Sequence, residues 1–295
     1  MGERLISLAG QQKPRLCIVF VLTAAYLVVE VAAGLLTGSL ALLADAGHML
    51  SDVGGLALAL LAIRFAERPA TLTKTYGYYR AEVLAALANA VVLIGISLYI
   101  LYEAYRRFRN PPEVLSLPML LVALVGLGAN LVGLKLLHPA SGASLNIRGA
   151  YLELLSDALT SIGVVLAGLV MLLTGWRLVD PLISAAIGLF ILPRTWSLLN
   201  QSVHVLMEGC PSGIDLGKVM AAMRAVEGVR EVHDIHIWTI TSGFDALTGH
   251  VIVESFAEKQ AVLRRLQEIL AERFGVKHVT VQLEEQCTAG EEDRC

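Results

Sequence analysis

A membrane bundle of six α-helices followed by a small α+β domain is the fold class predicted by two features of the chain. Long apolar runs fill it to about Leu199, and from Pro211 onward short units alternate between apolar and polar residues, as soluble sequences do. Of its 295 residues 56% are hydrophobic and 17% charged, an apolar excess that a soluble chain of this length does not carry. The net charge of -3 is too small to suggest nucleic acid or an acidic partner, and no basic tract is interleaved with aromatics. Cys17, Cys210, Cys287 and Cys295 lie far apart without C-x-x-C spacing. Neither a disulfide scaffold nor a cysteine-rich metal site is indicated, and a reducing cytoplasmic side fits.

A spanning helix takes about 20 mostly apolar residues, and six such runs are read: 16–38, 41–63, 81–105, 115–137, 148–174 and 180–199. The polar start, residues 1–15, leads into a run of full spanning length without a small-residue cleavage pattern, so it reads as a cytoplasmic segment and not as a signal peptide. The first two runs are separated only by a few residues around Thr37–Ser39, which predicts an antiparallel helical hairpin. Basic residues near the helix ends set the orientation. Arg4, Lys13, Arg15, Arg64, Arg68, Lys74, Arg80, Lys135, Arg148 and Arg194 fall on one side; Arg106, Arg107, Arg109 and Arg177 fall on the other. Both termini are therefore expected to be cytoplasmic.

Residues 200–286 read as a separate cytoplasmic domain. An amphipathic helix over 215–226 is followed by alternating strands over 229–241 and 247–255, with a turn at Ser242–Gly243. A second helix covers 258–274, with Val262, Leu266, Ile269 and Leu270 on one face, and a last strand covers 276–283. The order αββαβ predicts two helices on one face of a three-stranded sheet, a ferredoxin-like arrangement. Residues 287–295 read as a disordered tail.

The chemistry is concentrated in the second and fifth runs. Asp45, His48 and Asp52 are spaced i, i+3, i+7 and share one helix face; Glu153 and Asp157 are spaced i, i+4. Each ionisable group placed in hydrocarbon costs at least ~2.5 kcal/mol, so such groups face a protein interior or a watery cavity and serve a purpose. A lone intramembrane histidine is more often a tie between helices than a ligand. One imidazole with three carboxylates in two pairs is different, because a purely structural reading buries mutually repelling charges. His48, Asp52, Glu153 and Asp157 together form a four-ligand cage of mixed nitrogen and oxygen donors, which suits zinc before magnesium or calcium. Asp45 sits nearer the outer end of its helix and is placed outside the cage, lining an exit path. Glu30, deep in the first run with no charged neighbour in sequence, either pairs with interior polar groups or relays protons.

Several segments carry a family resemblance: Ser39-Leu-Ala-Leu-Leu-Ala-Asp-Ala-Gly-His48-Met-Leu-Ser-Asp52, Tyr76-Gly-Tyr-Tyr-Arg80-Ala-Glu82, Leu145-Asn-Ile-Arg148-Gly-Ala-Tyr-Leu-Glu153-Leu-Leu-Ser-Asp157, Asp180-Pro181, and Val232-His233-Asp-Ile-His236-Ile-Trp238. On these, over roughly residues 16–285, the chain resembles the cation diffusion facilitator family, in its bacterial zinc, cobalt and cadmium efflux branch. The resemblance implies a homodimer in the inner (plasma) membrane with 16–199 as the transport domain and 200–286 as a cytoplasmic metal-binding domain. It also implies exchange of a divalent metal, zinc first, for protons by alternating access. His48 with Asp52, and 153 with 157, are the positions that match the family's transport site. Glu153 departs from the family's usual His-x-x-x-Asp, which hardens the site and opens it to cobalt, iron, manganese or cadmium. In the cytoplasmic domain His233, His250, His278 and Glu284 match the positions of a zinc site near the dimer contact, and three adjacent strands can bring them together. His236 reads as a structural residue or a support for those ligands.

Proton coupling follows from ligand chemistry. Metal ligands must be deprotonated to bind, and a free imidazole titrates near pH ~6.5, so protons compete with metal for the same groups. Residues 64–80 contain no histidine, and the loop before the fifth run carries only His138, so a further metal site between the second and third helices and a His-rich collecting loop are not expected. An enzyme is not expected either, since a membrane zinc hydrolase needs a motif such as H-E-x-x-H, which the sequence lacks. A metal-responsive partner that moves no ions itself is the remaining alternative. The intact ligand set argues against it.

Overall fold

The computed structural model describes residues 2–66, 68, 70–137 and 145–286. The side chains of 2–19, 59, 62, 63, 65, 66, 136, 137, 145–153 and 256 also lie outside the described set. The expected tail, with Cys287 and Cys295, and His138 fall outside the described residues. The chain divides into two units: residues 1–68 with 85–199, and residues 69–84 with 200–295.

The first unit is built from long helices, α1 (Gly2–Thr37), α2 (Leu40–Ala66), α3 (Arg80–Arg109), α4 (Ser116–Leu137), α5 (Leu145–Thr174) and α6 (Val179–Leu206), with the first turn of α3 and the last turns of α6 assigned to the second unit. Helix α1 starts in the stretch read as a polar segment, because residues 3–13 are mostly good helix formers. Among the described residues α1, α3, α4, α5 and α6 are long and apolar enough to cross a membrane. Helix α2, 27 residues long, carries Asp45, His48 and Asp52 on its first half.

Packing in this unit joins α1 to α2 and α4 to α5, with smaller contacts of α1 with α4 and α2 with α5. Its core is rich in small residues, Ala41, Ala44, Ala123 and Ala167, beside Leu42, Met119, Val164 and Ile187. Lipid tails are as apolar as leucine, so close backbone approach takes the place of a hydrophobic drive. Val21, Leu22, Val28, Leu35, Leu121 and Val125 point outward, as a lipid-facing surface requires.

The hairpin between α1 and α2 turns at Gly38, whose φ of +72° favours glycine. Its N-terminal end is secured from across the bundle. Ser39 Oγ accepts from the Leu42 N–H at 3.2 Å, and the wholly buried Asp180 of α6 accepts from Ser39 Oγ at 2.7 Å and from the Leu40 and Ala41 N–H groups at 2.9 and 3.1 Å. These are the orphan donors of a helix start, met here by a residue remote in sequence. Arg107 donates to the Gly38 carbonyl, lies 3.8 Å from Asp180 and is braced by Glu103 at 3.1 Å. Arg107, part of the basic cluster that runs against the charge bias, is therefore committed to this knot.

The second unit is the α+β domain. Helix α7 (Leu216–Arg224) is capped by Asp215, which accepts from the Lys218 N–H, and α8 (Lys259–Phe274) ends at Gly275 with φ +74°. Strands β1 (Val229–Thr241), β2 (Phe244–Val253) and β3 (His278–Glu284) lie in the order β1-β2-β3, with β1 and β2 antiparallel and β2 and β3 parallel. The αββαβ order is the expected one. β2 begins three residues earlier than the alternation suggested, because Ser242–Gly243 makes a tight turn and Phe244 pairs with Thr241 at once. Val219, Met223, Leu266 and Leu270 of the helices meet Val232, Ile235, Ile237, Leu247 and Val251 of the sheet in one core.

Replacing Asp180 by alanine leaves the α2 donors without their acceptor. The expected cost is about 1–3 kcal/mol, read as a lower apparent Tm of the detergent-solubilised protein, with D180N intermediate. An unchanged Tm would contradict this assignment.

Candidate metal centres

Helices α2 and α5 run side by side in opposite directions, and their facing residues form levels one turn apart. His48 Nε2 lies 3.1 Å from Asp157 Oδ1, and one turn toward the α2 start Ser161 Oγ donates to Asp45 Oδ2 at 3.3 Å. At the first of these levels Asp52 joins: one donor atom each from His48, Asp52 and Asp157 lie within 4.8 Å of one another. His48 is 2% exposed, and neither its Nε2 nor Asp157 Oδ1 makes a well-formed hydrogen bond. Buried polar atoms that converge without satisfying one another are costly, and a cation relieves that cost. The His48 ring also meets the edge of Phe190 on α6, with centroids 6.3 Å apart. The side chain of Glu153 lies outside the described residues; its position in α5 is one turn before Asp157.

Around the Asp45 level the structure adds residues that the sequence pattern did not single out. Asn130 of α4 donates to Ser161 Oγ at 3.4 Å, which turns the serine proton toward Asp45. Glu30 is 1% exposed, and the Tyr26 hydroxyl lies 3.1 Å from its Oε1 and 3.3 Å from the Val122 carbonyl. Tyr26 fits there because residue 126 is glycine: a Cβ at that position would overlap the Tyr26 hydroxyl. Partners 96 or 116 residues apart leave no trace in local spacing.

The second centre lies on the sheet. His233 and His250 pair across β1 and β2, with ring centroids 5.5 Å apart, and Glu284 of β3 reaches both: His250 Nδ1 is 2.7 Å from Oε1 and His233 Nε2 is 3.6 Å from Oε2. The three residues place donor atoms within 4.8 Å of one another, and two imidazoles with a carboxylate fit zinc. His233 and His250 face away from the helices because their neighbours Val232 and Val251 face them, and β1 is bulged just beyond, between His233 and His236, with Asp234 in the left-handed region at φ +50°. That bulge also brings Asp234 into the centre. Its Oδ2 lies 3.7 Å from His250 Nε2 and its Oδ1 lies 2.8 Å from His236 Nε2, so Asp234 stands between exposed His236 and the cluster.

Cation efflux proteins match the chain in both parts, by their transmembrane domain over residues 16–207 and by their cytoplasmic domain over residues 211–286. The chain belongs to the cation efflux family. Among similar proteins is the metal cation efflux system protein CzcD of Cupriavidus metallidurans, 46% identical over 276 residues, covering 93% of this chain and 87% of that one. The cadmium, cobalt and zinc/H(+)-K(+) antiporter of Bacillus subtilis is 42% identical over 280 residues, covering 93% and 90%. The zinc transporter ZitB of Escherichia coli is 41% identical over 274 residues, covering 92% and 87%. The chain is thus a multi-pass membrane protein of a transporter family.

In this cation efflux protein His278 does not join the cytoplasmic cluster, contrary to the expectation from its position. β3 pairs in parallel with β2 so that Gln282, not His278, is level with His250, and four residues of strand separate them by about 13 Å. His278 instead lies 3.3 Å from the Tyr76 hydroxyl, with the Phe244 ring 5.5 Å away. Tyr79 stacks edge-on against Phe244, Glu82 takes the hydroxyls of Thr241 and Ser242, and Arg80 pairs with Glu208 at 2.8 Å. The Tyr76–Glu82 segment is therefore a clamp on the β1–β2 turn. Burial first, and Asp245 and Asp215 next, push the Cys210 thiol up, which disfavours its thiolate as a metal ligand.

The Gly126 contact yields a double-mutant test. G126A should displace Tyr26 from Glu30 and destabilise the protein by about 1–3 kcal/mol; in a Y26F background, which lacks the clashing oxygen, the same change should cost less. Additive losses in thermal unfolding would show that the two residues do not meet.

Proposed function

We propose that this protein exports a divalent metal, zinc first, across the inner membrane in exchange for protons, through a site made by His48, Asp52, Glu153 and Asp157. The observation that carries this reading is the buried approach of His48 to Asp157, with Asp52 beside them, on two antiparallel helices. Position 153 is one turn from Asp157 and falls at the Asp52 level, where a fourth ligand would close a tetrahedral cage. The substrate metal neutralises charges that otherwise repel in a dry site. Protons arriving at the same donors displace it, and the discharged site carries them back. The names of the similar proteins, which include zinc transport and cadmium, cobalt and zinc antiport, support both the cargo and the exchange.

Three carboxylates beside one imidazole make the site more oxygen-rich than a two-histidine cage. A selectivity broadened toward cobalt, cadmium, iron or manganese is the second reading that this donor set favours. His233, His250 and Glu284 would hold a zinc ion in the cytoplasmic domain, where it would cross-link all three strands; Asp234 would orient His250. His278 has no part in that set. A homodimer is supported by the match of residues 211–286 to the family's cytoplasmic dimer domain, and cytoplasmic termini are supported by the bias of Lys and Arg, which Arg107 does not weaken because Asp180 and Gly38 employ it.

Metal uptake into vesicles with the purified protein decides the reading. Wild-type protein should move zinc faster with an opposing proton gradient, and D157A should lose uptake by 10-fold or more, as removal of one charged ligand predicts. Flux indifferent to the gradient would remove the antiport reading. In zinc titrations H250A should lose one bound equivalent while H278A keeps it; loss in both would restore His278 to the cluster.

A further inference from the structure

Helices α2 and α5 carry the proposed ligands, yet they pack against each other much less closely than α1 packs on α2 or α4 on α5. Apolar packing across the α2–α5 seam is therefore a weak guide to the level at which His48 finds Asp157. The nearest tie across that seam is polar. Asp45 stands three residues before His48 on one face of α2, and Ser161 stands four residues after Asp157 on one face of α5. Their hydrogen bond at 3.3 Å is the next rung beyond the His48–Asp157 approach, and both residues are buried.

The rung is also anchored on its far side. A serine has one proton, and a carboxylate oxygen only accepts, so the Ser161 proton goes to Asp45 and the serine oxygen accepts from the Asn130 amide of α4 at 3.4 Å. The line runs from α4 through α5 to α2, and it fastens α2 to the closely packed α4–α5 pair. We propose, resting on the exporter reading, that Asn130, Ser161 and Asp45 are positioning residues of the transport site. None of them is a proposed ligand, and together they hold α2 and α5 at the level where His48, Asp52 and Asp157 converge.

Polar ties between membrane helices are common and are often no more than glue. This one differs in its place, one turn from the converging donor atoms and on the same two helices. Residues that support ligands without touching the metal change its affinity by about 10–100-fold when they are lost. Because this line acts through the helices and not on a ligand atom, the lower end of that range is expected. It also bears on the choice of metal. Zinc takes its donors tetrahedrally at fixed distances, so a cage free to slide loses preference for zinc over a larger, more tolerant ion such as cadmium.

Zinc and cadmium titrations of the full-length protein in nanodiscs test this, in an H250A background that silences the cytoplasmic centre. S161A should weaken the remaining zinc equivalent about 10-fold and lower the preference for zinc over cadmium. N130A should act in the same direction, and N130A with S161A should cost no more than S161A alone, because Asn130 acts through the serine. S161T, which keeps the hydroxyl, should restore both affinity and preference. A tie with no bearing on the site would lower the Tm and leave the affinity and preference of the folded protein unchanged; that result, or additive losses, overturns the proposal. If S161A fails to fold, S161C, nearly the same size but a weak donor, is read against the same outcomes. Wild-type protein that moved no zinc in vesicles, while S161A still weakened binding, would remove the exporter reading and leave the positioning role in place.

Discussion

His48 and Asp157 meet at 3.1 Å inside an apolar bundle, and that approach constrains most of the membrane unit. Charged and polar atoms cannot be left facing hydrocarbon, so the helices bearing them must face each other and must be held in one register. The register is supplied by close packing of small residues and by the fixed start of α2. Asp180 and Ser39 determine where that helix begins, and with it how far along the axis His48 stands. A shift of one residue would turn the imidazole by about 100° and away from α5. The knot at Asp180 and the ionisable residues two turns further on are in this sense one arrangement.

Much of this was legible from residue spacing alone. Hydropathy located the helices, and the i, i+3, i+7 pattern at Asp45, His48 and Asp52 described one face of α2 without reference to any partner. What spacing could not report was the continuation of that face onto other helices. Ser161 and Asn130 are ordinary polar residues until the fold brings them to Asp45, and Tyr26 reaches Glu30 only because position 126 lacks a side chain. Such contacts depend on tertiary register, which a single sequence does not encode in any local period.

In the sheet the difficulty was of another kind. Histidines at 233, 250 and 278 lie on three neighbouring strands, and adjacency alone suggested one cluster. Strand geometry admits only residues at nearly the same level, so His250 finds Glu284 while His278 is left to the aromatic contacts of Tyr76 and Phe244. The signal of the bulge was present in β1, where Val232 and Ile235 are both buried although three residues apart, a break in the two-residue period. A strand that alternated without interruption would not have buried both.

That break has a consequence for how the domain tolerates change. Replacement of His233 or His250 deletes one donor and leaves the others in place. Loss of the single extra residue at the bulge would do more, because every side chain on one side of it would exchange faces. Ile235 and Ile237 would turn outward or His233 inward, and core and ligand cluster would fail together. Insertions and deletions between Val232 and Ile235 should therefore be far rarer among functioning sequences than substitutions at the same positions, and Asp234, which bends the chain there, serves as the joint between packing and chemistry.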